Sequence, residues 1–129
     1  MKSISGTSSL AVYDNPELVE SVFKLVGEIQ CKVLRWLLNK NRIFAVWYGD
    51  DLAYTEGLMI SQAILRKHVF CRLEEIASIS HNAAMPLIMH SDGDIKLIID
   101  DLVALGLDAL HPIEPKAMDI RELKRKYKG

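Results

Sequence analysis

An α/β fold with parallel strands is predicted by three observations. A long amphipathic stretch opens the readable part of the chain, three short apolar runs follow it, and each run is succeeded by a helical pattern. Strands joined by helical connections pair in parallel through right-handed crossovers. All three runs also lead into polar residues at the same end, where ligands bind in open and closed α/β folds.

The elements are read in chain order. Residues 1 to 14 show no period and read as an irregular lead-in. Asn15-Pro16-Glu17 is a helix start: a capping Asn, a Pro at the first helical position, an acid in the first turn. Val19, Val22, Val26, Ile29, Val33 and Trp36 then recur at three- and four-residue steps, which predicts a helix to about Leu38 with that stripe as its core face. Asn39 to Asn41 closes it. The β-branched and aromatic run Ile43 to Tyr48 reads as a buried strand ending at Gly49-Asp50-Asp51. Ser61 caps a second helix whose Leu65, Val69, Leu73, Ile76 and Ile79 or Ser80 face inward.

Leu87 to Met89 is the second strand, followed by a helix from Ile95 to Leu105 with Asp94 as its cap and Gly106 as its stop. Leu107 to Leu110 is the third strand, ending at His111-Pro112, and Asp119 with Glu122 resembles a capping box for a last helix. Trp36 and Trp47 are expected to anchor core layers. His68 and His81 have no partner at ligand spacing and read as solvated or capping residues.

The chain of 129 residues is one domain in size, half hydrophobic and 26% charged, with a net charge of -1. That balance gives no reason to expect nucleic acid or an anionic membrane as partner. Arg121, Lys124, Arg125, Lys126 and Lys128 read as the solvated last turn of the final helix, where cations suit the dipole. Cys31 and Cys71 form no CxxC pair and read as ordinary thiols of a reduced, cytoplasmic protein. Met1 to Ser9 lacks the apolar run of a secretion signal, and no window reaches the ~20 apolar residues of a membrane span.

The three strand ends assemble a candidate rim: Asp50 and Asp51 after the first strand, His90 and Asp92 after the second, His111 and Glu114 after the third. A single Asp or Ser at such a place is an ordinary turn residue. Three clusters in register point to a shared substrate-binding edge.

Tyr13-Asp14-Asn15-Pro16-Glu17-Leu18, Gly49-Asp50-Asp51-Leu52-Ala53-Tyr54, Gly57-Leu58-Met59-Ile60-Ser61, His90-Ser91-Asp92-Gly93, Gly106-Leu107-Asp108-Ala109-Leu110, Pro112-Ile113-Glu114-Pro115 and Met118-Asp119-Ile120 follow one another along the chain. In that order these segments resemble those of the uroporphyrinogen decarboxylase family. The resemblance implies a (β/α)8 barrel, of which this chain would be a partial, central-to-late section with about three strand-helix units after a long helix. A whole barrel takes about 250 residues. A partial barrel would leave open strand edges, so a homo-oligomer or a partner chain is expected, with little or no activity from the chain alone or, as an alternative, a non-catalytic module that associates to complete a barrel.

The resemblance implies two chemistries. Its decarboxylase side implies cofactor-free removal of carboxylates from the acetate side chains of a tetrapyrrole, with no catalytic residue carried over here. Its corrinoid-linked methyltransferase side implies zinc held by a His-x-Cys pair, which falls on His90 and Asp92, an aspartate standing at the cysteine position. The sequence departs from the family pattern at Gln62 and Cys71, where proline is common, and at Ala84 and Ala117, where glycine is usual.

Overall fold

The computed structural model describes residues 14–40 and 42–127. It is a mixed α/β arrangement in which a long helix leads into three parallel strands of one sheet. The lead-in expected over residues 1 to 14 lies outside the described residues except for Asp14.

Helix α1 spans Pro16–Leu38 and starts as the sequence predicts: the Asn15 side chain accepts from the Leu18 amide at 3.1 Å, with Pro16 in the first turn. Strand β1 (Val46–Gly49) begins later than expected, because Ile43 to Ala45 precede the ladder. It is followed by a small hairpin, β2 (Ala53–Tyr54) with β3 (Gly57–Leu58), which the sequence analysis did not anticipate; two-residue strands carry too little alternation to be read. Helix α2 (Gln62–Ile64), capped by the Ser61 side chain, runs through a π-helical stretch at Leu65–Phe70 into α3 (Cys71–Asn82). Leu65, Val69, Leu73 and Ile76 are buried, as their spacing predicts.

Strand β4 (Leu87–His90) lies between β1 and β5 (Ala109–His111), and both pairings are parallel. The third strand starts after Leu107 because the Leu107 amide is occupied in closing the preceding helix, donating to Leu102 O at 3.2 Å. That helix is shorter than the expected Ile95 to Leu105. A 3₁₀ turn at Lys96–Ile98 comes first, then α4 (Ile99–Ala104). In a 3₁₀ turn residues three apart share one side, which lets Ile95 and Ile98 both enter the core. The Asp94 side chain still accepts from the Lys96 amide at 3.0 Å, and Gly106 still ends the element in the left-handed region at φ 91°.

Helix α5 (Ile120–Lys126) is capped by the Asp119 side chain. It is tied back to α4 by Asp100, which accepts from Tyr127 Oη at 2.6 Å and from Lys126 Nζ at 3.0 Å. Those two donors, the tyrosine first, hold the Asp100 carboxyl below its usual range. Lys126 thus serves an ion pair within the chain, while Lys128 lies outside the described residues. No helix among the described residues is long and apolar enough to cross a membrane.

Alternation along β4 places Leu87 and Met89 in the core, level with Val46 and with Tyr48 and Leu110 on its neighbours. The other sheet face carries Trp47, Ile88 and Ala109, and is largely open. Three sequence expectations are corrected here. The α1 stripe is not the core face: Val22, Val26, Ile29, Val33 and Trp36 are exposed, and the helix buries Gly27, Cys31 and Leu34 instead. Both sides of this helix carry apolar residues, and the core takes the side with the small ones. A Cβ at Gly27 would meet the Arg72 side chain at 2.6 Å, so the glycine permits the close approach of α3. Trp36 and Trp47 are accordingly exposed, Trp36 lying under Lys40 Nζ. His68 is not solvated but buried, stacked on Phe23 with ring centroids 5.2 Å apart.

Candidate functional site at the carboxyl ends of the strands

Parallel pairing brings the three strand ends level: Gly49 lies opposite His90, and His90 opposite His111. The ladder continues one residue further, with the Asp50 amide donating to His90 O and the Ser91 amide to His111 O, each at 3.0 Å. Asp50, His90 and His111 are therefore placed by backbone hydrogen bonds of the ladder.

Ser91 is fully buried below the rim. Its hydroxyl accepts from the Leu52 amide at 3.0 Å and donates to Asp92 O at 3.2 Å, which locks the turn after β1 to the turn after β4. Gly93 follows at φ 84°, against the hairpin: a Cβ there would lie 2.5 Å from Ala53 O. Only glycine fits both the left-handed backbone and that approach. The Gly93 amide donates to Glu114 Oε2 at 3.0 Å, and Thr55 Oγ1 donates to the other carboxylate oxygen at 3.4 Å. Glu114 is thus a clasp between the β4 turn and the hairpin.

Among the sequence-predicted site residues, Asp51, His90 and Asp92 come together. One ligand atom from each lies within 4.8 Å of the other two, and His90 Nε2 is 3.8 Å from Asp51 Oδ1. Asp51 Oδ1 also accepts from the Asp92 amide at 3.1 Å, which fixes the aspartate against the turn. His90 Nδ1 and His111 Nδ1 are 3.0 Å apart, so one imidazole donates there and the other accepts. Asp50 turns away from the cluster toward Tyr48, whose hydroxyl lies 3.5 Å from Asp50 Oδ2.

Burial pushes the Tyr48 hydroxyl up to about 12, with the neighbouring Asp50 charge adding to it. Asp50 is itself raised, first by desolvation and then by the charge of Asp51, while the Tyr48 hydrogen bond opposes the shift. By surface area Asp50 is an exposed residue, and water at its carboxylate opposes that rise.

Two residues of the corner were not placed among the rim residues from the sequence. Ser91 looked like a turn residue, and only its complete burial reveals the brace. Trp47 lies with its ring centroid 4.9 Å from His111 and 6.0 Å from His90, walling the pair on the open sheet face. A signal for it was present: Trp47 pairs with Ile88, two residues before His90, and residues two apart share a face.

No protein-family model, curated protein or solved structure matches the chain.

The donor set can be tested against a metal on chemical grounds. One imidazole nitrogen and two carboxylates suit zinc and similar divalent transition ions. Zinc bonds of about 2.1 Å at tetrahedral angles put ligand atoms about 3.4 Å apart. The observed spacing of up to 4.8 Å closes to that by small side-chain rotations of the exposed Asp51 and Asp92, with Asp51 keeping its bond from the Asp92 amide. The residues fit the ion.

Proposed function

We propose that this chain is a section of a uroporphyrinogen decarboxylase-type (β/α)8 barrel. Its strand-end corner binds a divalent transition ion, zinc in the first instance, and belongs to the methyl-transferring side of that superfamily. The meeting of Asp51, His90 and Asp92 at one strand end is the observation that carries this reading. The barrel is supported by the strand order: each parallel strand lies beside the next one in sequence, as every barrel strand does. Asp51, His90 and Asp92 would hold the ion, and a bound zinc would supply Lewis acidity for activating a thiol. Ser91 and Glu114 keep the turns that carry these ligands in place.

Tetrapyrrole decarboxylation is the second reading. The raised Asp50 carboxyl favours it, since more of it is in the acid form that protonating a pyrrole ring requires. The rim composition favours the metal. Asp50, Asp51, Asp92 and Glu114 bring four carboxylates to the strand ends, a poor lining for a substrate that itself carries carboxylates.

Dialysis of the purified chain against zinc chloride, followed by elemental analysis, tests the choice. One zinc per chain is expected, with the site lost in His90→Ala. Chain that stays metal-free, or that turns over reduced uroporphyrinogen without zinc, overturns the metal reading.

A further inference from the structure

The rim does not account for the outward side of α1. Val22, Val26, Ile29, Val33 and Trp36 follow one another at steps of four, three, four and three residues, and each is 46% to 59% exposed. With the half-buried Val19 before them they form a seam of period 3.5. These are the a and d positions of a coiled coil, with valine at every a position. The seam runs ~26 Å along the helix. A helix that is apolar on both sides is one that is covered on both sides. The chain itself covers the side with Gly27, Cys31 and Leu34, which holds α1 in place and leaves the seam outward.

We infer that two copies of this chain pair through α1, antiparallel about a two-fold axis, with Val26 of one copy facing Ile29 of the other at the centre. In this register Val22 faces Val33 and Val19 faces Trp36, so every layer joins an a position to a d position. The contact is self-complementary, as a two-fold interface requires. It lies on a helix rather than on the open strand edges from which association was expected. The pairing is independent of the metal reading of the corner.

Area and charge both favour a second copy as the occupant. At these exposures the seam, with Leu18 and Leu25 beside it, offers ~600 Å² of apolar surface per copy, so two copies cover ~1,200 Å², the lower bound of stable specific interfaces. The first half of α1 carries Glu17, Glu20 and Glu28 against Lys24 alone, whereas the second half carries Lys32 and Arg35 and no acid. Glu20 and Arg35 also pair within the chain, with Lys67 and Glu75. Antiparallel pairing sets the acidic half of one helix beside the basic half of the other and opposes the two macrodipoles. Parallel pairing would set like beside like. On one flank Ile29 and Val33 border the groove they share with Ile43 and Trp47, so a partner helix meets a recess there rather than a wall.

Analytical ultracentrifugation of the full chain over a range of concentrations tests the pairing, and a reversible dimer is expected. Val26→Glu and Val26→Lys each set like charges beside the two-fold axis and should each weaken the dimer about tenfold or more, with circular dichroism unchanged. An equimolar mixture of the two should restore it, because opposite charges then meet across the axis. A merely structural role for Val26 would give no such rescue. Disulfide trapping in a Cys71→Ser background reads the orientation, and decides even if a charged variant does not fold: Val22→Cys should cross-link to Val33→Cys and not to its own copy. A chain that stays monomeric at about 100 μM overturns the inference. So does a dimer that survives Val26→Glu, a mixture without rescue, or Val22→Cys trapped with itself. None of these results touches zinc binding, which stands or falls by its own titration.

Discussion

The region around β4 and the long helix α1 use apolar residues in opposite ways. Leu65, Met89, Ile95, Ile98 and Leu102 converge from three helical segments, a strand and the residue before the 3₁₀ turn until each is 0% exposed. Helix α1 is just as rich in apolar residues, yet Val22 and Ile29 remain 50% and 51% exposed. A hydrophobic period specifies a face, but only a neighbour buries it. Around β4 the neighbours lie within the chain: β1 and β5 on either side, α3 before it and α4 after it. For α1 the chain supplies a neighbour on one side, where Gly27 and Cys31 allow close approach. The wide stripe on its other side stays about half exposed, with Ile29 and Val33 only bordering a groove they share with Ile43 and Trp47.

The largest expected effect comes from emptying the closed region. Leu102 is fully buried on α4, and its carbonyl also accepts the Leu107 amide that ends the helix. Leu102→Ala removes packing from a fully buried site of the core, and a loss of about 2–5 kcal/mol in urea unfolding is expected. A loss below about 1 kcal/mol would mean that this half is no better packed than α1, and the contrast would collapse.

That contrast also explains what could be read in the sequence. Asn15, Ser61 and Asp119 cap their helices as predicted, because capping depends only on residues within one turn. Gly106 stops its helix for the same local reason. The three strand ends align because parallel pairing follows from the helices between them, and this placed Asp51, His90, Asp92 and His111 together. What could not be read was decided by distant partners. Trp36 and Trp47 are large and apolar but have nothing over them, whereas His68 is buried because Phe23 comes to it from α1. The same limit applies to Asp50 and Glu114. Their places on the rim were legible, but not that Asp50 turns to Tyr48 or that Glu114 clasps Gly93.

A smaller effect sharpens the comparison from within the closed region. The helices before β4 and before β5 end in one motif. Met85 N donates to Ser80 O and Ala84 N to His81 O; Leu107 N donates to Leu102 O and Gly106 N to Val103 O. In that motif the penultimate residue is left-handed. Gly106 meets the requirement at no steric cost, but Ala84 meets it at φ 56°, a conformation that costs an L-residue about 1–2 kcal/mol. Ala84→Gly removes the strain and gives back part of the gain through a freer unfolded chain. A net stabilisation of about 0.5–1 kcal/mol is expected from thermal melts. An unchanged or lower melting point would show that the turn before β4 is not strained, and that the closed region tolerates alanine there.

The smallest expected effect on folding, and the most direct question about α1, comes from its exposed stripe. Val22 and Ile29 lie seven residues apart on the outward side of a helix anchored through Gly27, Cys31 and Leu34. Gln has at least the helix propensity of either residue, and each side chain loses little burial when replaced. Val22→Gln with Ile29→Gln should therefore shift the stability of the isolated chain by less than about 0.5 kcal/mol per site. If another copy covers the stripe, the unaltered chain should gain melting temperature with protein concentration, because association stabilises by mass action. The double variant should lose that dependence while keeping its fold by circular dichroism. A large loss of stability at low concentration would instead mean that α1 buries this stripe within its own chain, and the two regions would no longer differ.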